Sequence, residues 1–254
     1  MKRHLAALTA VSLPALTGCA AEGGDDGAES DSITVFAAAS LNEVFEEIGE
    51  LYTEETGVET EFNFAGSSGL VEQLENGAPA DVLATADEQN MEDAVDSELV
   101  DGEPELFTEN HLVVITPPTN PAGVESLDDL DDDAVETVLC AEQVPCGAAS
   151  QRITEAAGLE ITPVSEEFSV TDVLGRVRTG EADAGLVYAT DALQGGQEVE
   201  TIEIEGAEED PNLYPIALLE GAEAGEAGQE FIDFVLQDEQ AQQVLTDAGF
   251  TELQ

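Results

Sequence analysis

The chain has 254 residues, enough for one large or two modest domains, and a hydrophobic share of 42% says that it folds. Its 58 acidic side chains against 5 basic ones leave a formal net charge of -53. That excludes nucleic acid and anionic lipid surfaces as electrostatic partners, because binding them needs clustered Lys and Arg.

The acids are spread through periodic, apolar-containing segments rather than gathered in a tail. They read as a solvated shell suited to high salt, where screening shortens to about 3 Å at molar ionic strength, rather than as a cation buffer. Residues 1–18, MKRHLAALTAVSLPALTG, open with Lys2 and Arg3 and continue in an apolar run from Leu5 to Leu16. That run is shorter than the roughly 20 residues a membrane span needs and fits a secretory signal. It ends in Leu16-Thr17-Gly18-Cys19, which resembles the bacterial lipobox, whose cysteine is lipidated and becomes the new N-terminus. Residues 19–32 are Gly-rich and acidic, without apolar periodicity, and read as a flexible tether. The expectation is an extracytoplasmic protein anchored to the cell membrane by lipidated Cys19, in a compartment where disulfides persist.

ITVFAAA (33–39) is then a strand. Leu41, Val44, Phe45, Ile48, Leu51 and Tyr52 recur at helical spacing behind it, with Ser40 expected as N-cap, Glu43 completing a capping box and Gly57 ending the helix. A strand follows at 58–66, a helix starting on Ser67 or Ser68, a strand at 80–86 and a helix near 88–95. HLVVITP (111–117) is a buried strand running into the breaker-rich TPPTNPAGVES. Beyond it come a short helix at 126–130, a strand at 135–140, a helix at 147–157, a strand near 164–168, a helix at 172–179 and the strand AGLVY (184–188). An alternating edge strand at 199–205, the apolar strand 213–219 and helices at 226–236 and 239–248 complete the chain. This alternation predicts an α/β protein with mostly parallel sheets. The loop TPPTNPAGVES and the stretch Leu213–Leu219 are natural crossing points between two lobes.

Several strand-to-helix turns put a small or hydroxylic residue first: Ser40, Ser67, and Cys146-Gly147. A helix N-terminus carries unpaired N–H groups and about half a positive charge, so several aimed at one crevice form an anion site without any basic side chain. A Ser at such a place also simply caps its own helix, and spacing alone leaves both readings open.

At these residues the chain resembles the periplasmic molybdate-binding proteins of ABC importers. The resemblance runs through ITVFAAASLNEVFEEI (33–48), FNFAGSSGLVEQLENGAPADVLATAD (62–87), LVVITP (112–117), VPCGAAS (144–150), VTDVLGRVRTGEADAGLVYATDA (170–192), YPIALLEG (214–221) and FIDFVLQDEQAQQVLTDAGF (231–250). It implies a two-lobe, type II periplasmic-binding-protein-like fold, each lobe a mostly parallel sheet flanked by helices, with the ligand cleft between them. The lobes would be 33–112 with 215–254, and 113–214. It implies molybdate, and tungstate, as ligand, an ABC permease as partner, a monomer, and no cofactor or enzymatic activity. Ser40 and Ser67 would donate from the first lobe, and the N–H groups of Cys146 and Val173 with the Tyr188 hydroxyl from the second. Molybdenum would be held only through its oxygens, with no direct metal ligand. The family often has Ala at position 146 and Ser at 66; neither departure is expected to disturb the site, since 146 acts through its backbone and Gly66 only precedes Ser67. A hydrogen bond to a charged group contributes on the order of 1.5–3 kcal/mol, and fixed donors measure the anion's size.

Other chemistry has little material. Asp129, Asp131 and Asp133 have EF-hand spacing, but Ala134 stands where the turn Gly belongs and Cys140 where the bidentate Glu belongs. His111 is the one histidine after the signal, too few for a His-based triad or zinc site. Arg152, Arg176 and Arg178 are expected in surface ion pairs. The rival readings are a binder of sulfate or another oxyanion, a sensor without a transporter, and an enzyme using the cleft. With Cys19 assigned to lipid, Cys140 and Cys146 are left as an even pair, expected as a disulfide that pins the turn presenting the Cys146 N–H.

Overall fold

The computed structural model describes residues 32–251 and Leu253. The expected signal segment, Cys19 and residues 20–31 lie outside the described residues. Ser32, expected as the last tether residue, already belongs to the first strand.

The chain runs β1 (Ser32–Ala38), α1 (Asn42–Thr56), β2 (Glu59–Ala65), α2 (Ser67–Glu75), β3 (Val82–Ala84), α3 (Glu88–Asp96) and β4 (Val100–Asn110). It continues with β5 (Leu112–Thr116), β6 (Thr137–Cys140), α4 (Pro145–Ala157), β7 (Ser165–Glu167), α5 (Val170–Arg178), β8 (Ala184–Tyr188), α6 (Ala189–Gly195) and β9 (Glu200–Ile202). It closes with β10 (Asn212–Leu219), α7 (Gly225–Gln237) and α8 (Glu239–Asp247).

These elements form two five-stranded sheets, ordered β2-β1-β3-β10-β4 and β7-β6-β8-β5-β9. In the first, β2, β1 and β3 are mutually parallel, and β10 is antiparallel to both β3 and β4. The second repeats the plan, with β5 antiparallel to both β8 and β9. Four of five strands in each sheet therefore point the same way, as the strand–helix alternation predicts. The central strands β5 and β8 are buried along their whole length, which explains their unbroken apolar sequence.

The chain leaves the first sheet after Asn110, where β4 pairs with β10, and enters the second at Leu112, which faces Tyr188. It returns with Asn212, opposite Asn110. The loop TPPTNPAGVES is therefore not a crossing point: it follows β5, which is already part of the second sheet. Nor does the chain cross within Leu213–Leu219, which pairs throughout with the first sheet.

Two elements escape the sequence pattern. β4, VDGEPELFTEN, is an edge strand whose acids face outward and whose pairing with β10 is broken by two irregularities; Pro and charge are what an exposed edge tolerates. Short α6 begins directly after β8. The expected helix at 126–130 is a 3-10 turn, Leu127–Asp131, closed by a capping box between Ser126 and Asp129. In the first lobe, Phe45 meets Phe107 at 5.7 Å and Phe231 at 6.0 Å, and the Tyr52 hydroxyl donates to the Ala227 carbonyl at 3.0 Å. This knot fixes α1 and α7 against the sheet and thereby holds the C-terminal end of β1, where the cleft begins.

Candidate functional site

The carboxyl ends of β1, β2, β6 and β8 meet at one small cavity lined by Ala38, Ala39, Ser40, Gly66, Ser67, Ala86, Val144, Pro145, Cys146, Ser169, Val170 and Tyr188. None of these carries a charge. The space left among them is close to that of one water. Residues from both lobes make the walls, the position expected for ligand in an open α/β sheet.

Ser40 is buried in a 3-10 turn, Ala39–Leu41, ahead of α1. The N-cap of α1 is Leu41, with no side-chain cap, so the expected Ser40–Glu43 capping box is absent. The Ser40 Oγ instead shares a hydrogen bond with the Tyr214 Oη at 3.1 Å. Ser67 is the first residue of α2, with Gly66 as N-cap. Its Oγ accepts from the Ala86 N–H at 3.1 Å, which leaves the hydroxyl proton free to be donated.

Gly66 does more than precede Ser67. A Cβ there would lie 2.1 Å from the Phe168 carbonyl oxygen and 3.2 Å from Val144 Cγ1. The missing side chain lets the backbones of the two lobes touch beside the cleft.

On the second lobe, α4 starts at Pro145, so Cys146 carries the first N–H of that helix. The first bonds inside the turn come later, from Gly147 and Ala148 to the Val144 carbonyl at 2.9 and 3.0 Å. The Cys140–Cys146 disulfide is present, with Cα atoms 5.7 Å apart. Gly147 lies against the same turn: a Cβ there would sit 1.9 Å from the Ala141 carbonyl oxygen.

Val173 does not reach the cavity. α5 begins at Val170 rather than near Asp172, capped by Ser169, whose Oγ accepts from the Asp172 N–H. The Val173 N–H is spent on the Ser169 carbonyl at 3.4 Å, and its side chain is core. Val170, one turn earlier, lines the cavity and precedes these bonds. The structure thus brings together Ser40, Ser67, Cys146 and Tyr188, and puts Val170 where Val173 was expected.

Tyr188 ends β8 and is 1% exposed. Its Oη accepts from the Asn212 Nδ2 at 2.8 Å. Burial raises both the Tyr188 and Tyr214 hydroxyls above the ordinary tyrosine value, so both stay protonated donors. Asp191, in the first turn of α6, is 3% exposed with its Oδ2 unpartnered, and desolvation lifts it to about 7. Tyr214, Asn212 and Asp191 were not singled out from sequence; polar Asn and Tyr within the apolar NLYPIALL were the available signal. Arg176 pairs with Glu167 and Glu181, and Arg178 with Glu198, as expected of surface arginines. Among the described residues no three His, Cys, Asp or Glu side chains come together to hold a metal ion.

Two α/β lobes with neutral donors at one crevice between them have the form of a solute-binding protein. The chain belongs to the bacterial extracellular solute-binding protein family, which it matches over residues 33–251. It is 41% identical over 220 residues to the molybdate-binding protein ModA of Mycobacterium tuberculosis, covering 86% of this chain and 84% of that relative. Its fold is similar to the periplasmic molybdate-binding protein of Azotobacter vinelandii, with a TM-score of 0.76 at 19% identity over 87% of this chain and 100% of that one. It is also similar to the sulfate-binding protein SubI of Mycobacterium tuberculosis, with a TM-score of 0.72 at 18% identity over 87% of each chain. These two likenesses concern the fold alone, and a fold shared by a molybdate binder and a sulfate binder does not choose the anion.

Proposed function

We propose that this chain captures molybdate, and tungstate with it, outside the cytoplasmic membrane and delivers it to an ABC permease. The observation that carries the reading is the convergence of Ser40, Ser67, Cys146, Val170 and Tyr188 on one charge-free cavity between the lobes. A doubly charged oxyanion accepts hydrogen bonds and donates none, and this site offers hydroxyl protons and the first N–H groups of α4 and α5. The 41% identical relative named for molybdate favours that anion over sulfate.

The cavity is smaller than a tetrahedral oxyanion, so its side chains shift outward around bound ligand while Gly66 stays against the Phe168 carbonyl. Cys19, behind the apolar signal run, anchors the protein by lipid, and residues 20–31 carry the binding lobes away from the membrane. Lobe 1 comprises 32–110 and 212–251, lobe 2 the residues between, and the protein acts as a monomer.

Calorimetric titration with molybdate, tungstate and sulfate tests the assignment. One tight molybdate site per chain, matched by tungstate and poorly challenged by sulfate, is the expected result. Equal affinity for sulfate overturns the choice of ligand.

A further inference from the structure

Arg152 differs from the other two arginines of the lobes. Its Nε pairs with Asp210 at 3.1 Å, but its Nη2 donates to the buried Asn212 Oδ1 at 2.8 Å. The Asn212 Nδ2 in turn donates to the Ala86 carbonyl at 2.8 Å and to the Tyr188 Oη at 2.8 Å. Guanidinium can only donate and a carbonyl can only accept, so both ends fix which way the amide faces. Tyr188 is thereby the acceptor in its bond with Asn212, and its single proton must point elsewhere. Its ring lies in the wall shared with Ser40, Ser67, Cys146 and Val170.

We propose that Arg152, acting through Asn212, is a positioning residue that commits the Tyr188 hydroxyl proton to the ligand. The proposal rests on the oxyanion-binding reading above and deepens it. Guanidinium, amide and phenol form one chain of donors oriented the same way, and hydrogen bonds so aligned polarise one another. The anion is thus served by a positive charge that never touches it, in a chain whose net charge is -53. Keeping the guanidinium behind Asn212 leaves the contact surface neutral, so a smaller oxyanion gains no direct ion pair that would offset its poorer fit.

Asn212 also ties Ala86, which follows β3 of the first lobe, to Tyr188 of the second. The relay is therefore complete only when the strands that join the lobes are in register, and donor orientation is coupled to lobe position.

A double-mutant cycle tests the relay: Arg152→Gln, Tyr188→Phe and the double variant, each titrated with molybdate and melted in parallel. Arg152→Gln should weaken binding about 5- to 20-fold in the wild-type background and less than 2-fold when Tyr188 is already Phe. Arg152→Lys, which keeps the charge and a donor to Asn212, should restore most of the affinity and carries the test if the Gln variant folds poorly. Equal penalties in both backgrounds, or a Lys variant as weak as the Gln one, overturn the relay while leaving the ligand assignment standing. A wild-type chain that binds no molybdate overturns both.

Discussion

Ser40 and Tyr214 lie 174 residues apart in sequence and share a buried hydrogen bond of 3.1 Å. That pairing removes Ser40 from helix capping and holds its hydroxyl at the cleft. On the proposed oxyanion site, Ser40→Ala deletes a direct ligand donor worth on the order of 1.5–3 kcal/mol, roughly 10- to 150-fold in affinity. Tyr214→Phe deletes only the partner that orients it, about 1 kcal/mol or 5-fold. Calorimetry with molybdate should rank the two in that order, and the reverse ranking would mean that Ser40 serves the fold rather than the ligand.

Gly66 sets how closely the lobes approach. With a Cβ placed 2.1 Å from the Phe168 carbonyl oxygen, Gly66→Ala strains the closed form and spares the open one. Overpacking costs about 1–3 kcal/mol, so molybdate affinity should fall about 5- to 150-fold, chiefly through faster release in stopped-flow displacement. A release rate equal to wild type would show that the lobes close without this contact.

The Cys140–Cys146 bridge spans six positions, and chain entropy gives such a short loop only about 2.4 kcal/mol. Reduction, or the Cys140→Ala/Cys146→Ala pair, should lower Tm by several degrees. It should also weaken molybdate binding, because the bridge restrains the turn that presents the Cys146 N–H. Unchanged affinity after complete reduction would confine the bridge to stability.

Asp191 supplies a pH signature. Desolvation raises its carboxyl to about 7 from an ordinary value of 3.8. Folding then takes up a proton in the window between roughly pH 4 and 7, so the group destabilises the protein progressively as pH rises through it, with the full penalty above 7. Asp191→Asn should therefore gain Tm relative to wild type by several degrees more at pH 8 than at pH 5, at fixed NaCl. The difference between variants cancels the general repulsion of the acidic surface. A constant offset across that range would mean Asp191 does not titrate there.

β1, β5 and β8 showed as apolar runs because both faces of their sheets are covered, and α1 showed because its buried stripe repeats at helical spacing up to Gly57. β4 was hidden because an edge strand answers to solvent and carries acids and Pro104. Ser40 looked like a cap because Ser before an apolar helix usually is one, and its true partner sits 174 positions away. Val173 came from the resemblance alone; with Ser169 as N-cap of α5, the valine at the cavity is Val170, one turn of helix earlier. The disulfide was legible from cysteine count and compartment, whereas the contact of Gly66 with Phe168 depends on how the two lobes meet.

The most direct test is anomalous diffraction at the molybdenum edge from crystals grown with molybdate. One peak per chain should lie between the lobes, surrounded by Ser40, Ser67, Cys146, Val170 and Tyr188, with oxygen positions in hydrogen-bond reach of the Cys146 and Val170 N–H groups. A peak outside that cavity, or no ordered molybdenum at saturating ligand, would contradict the site and the function built on it.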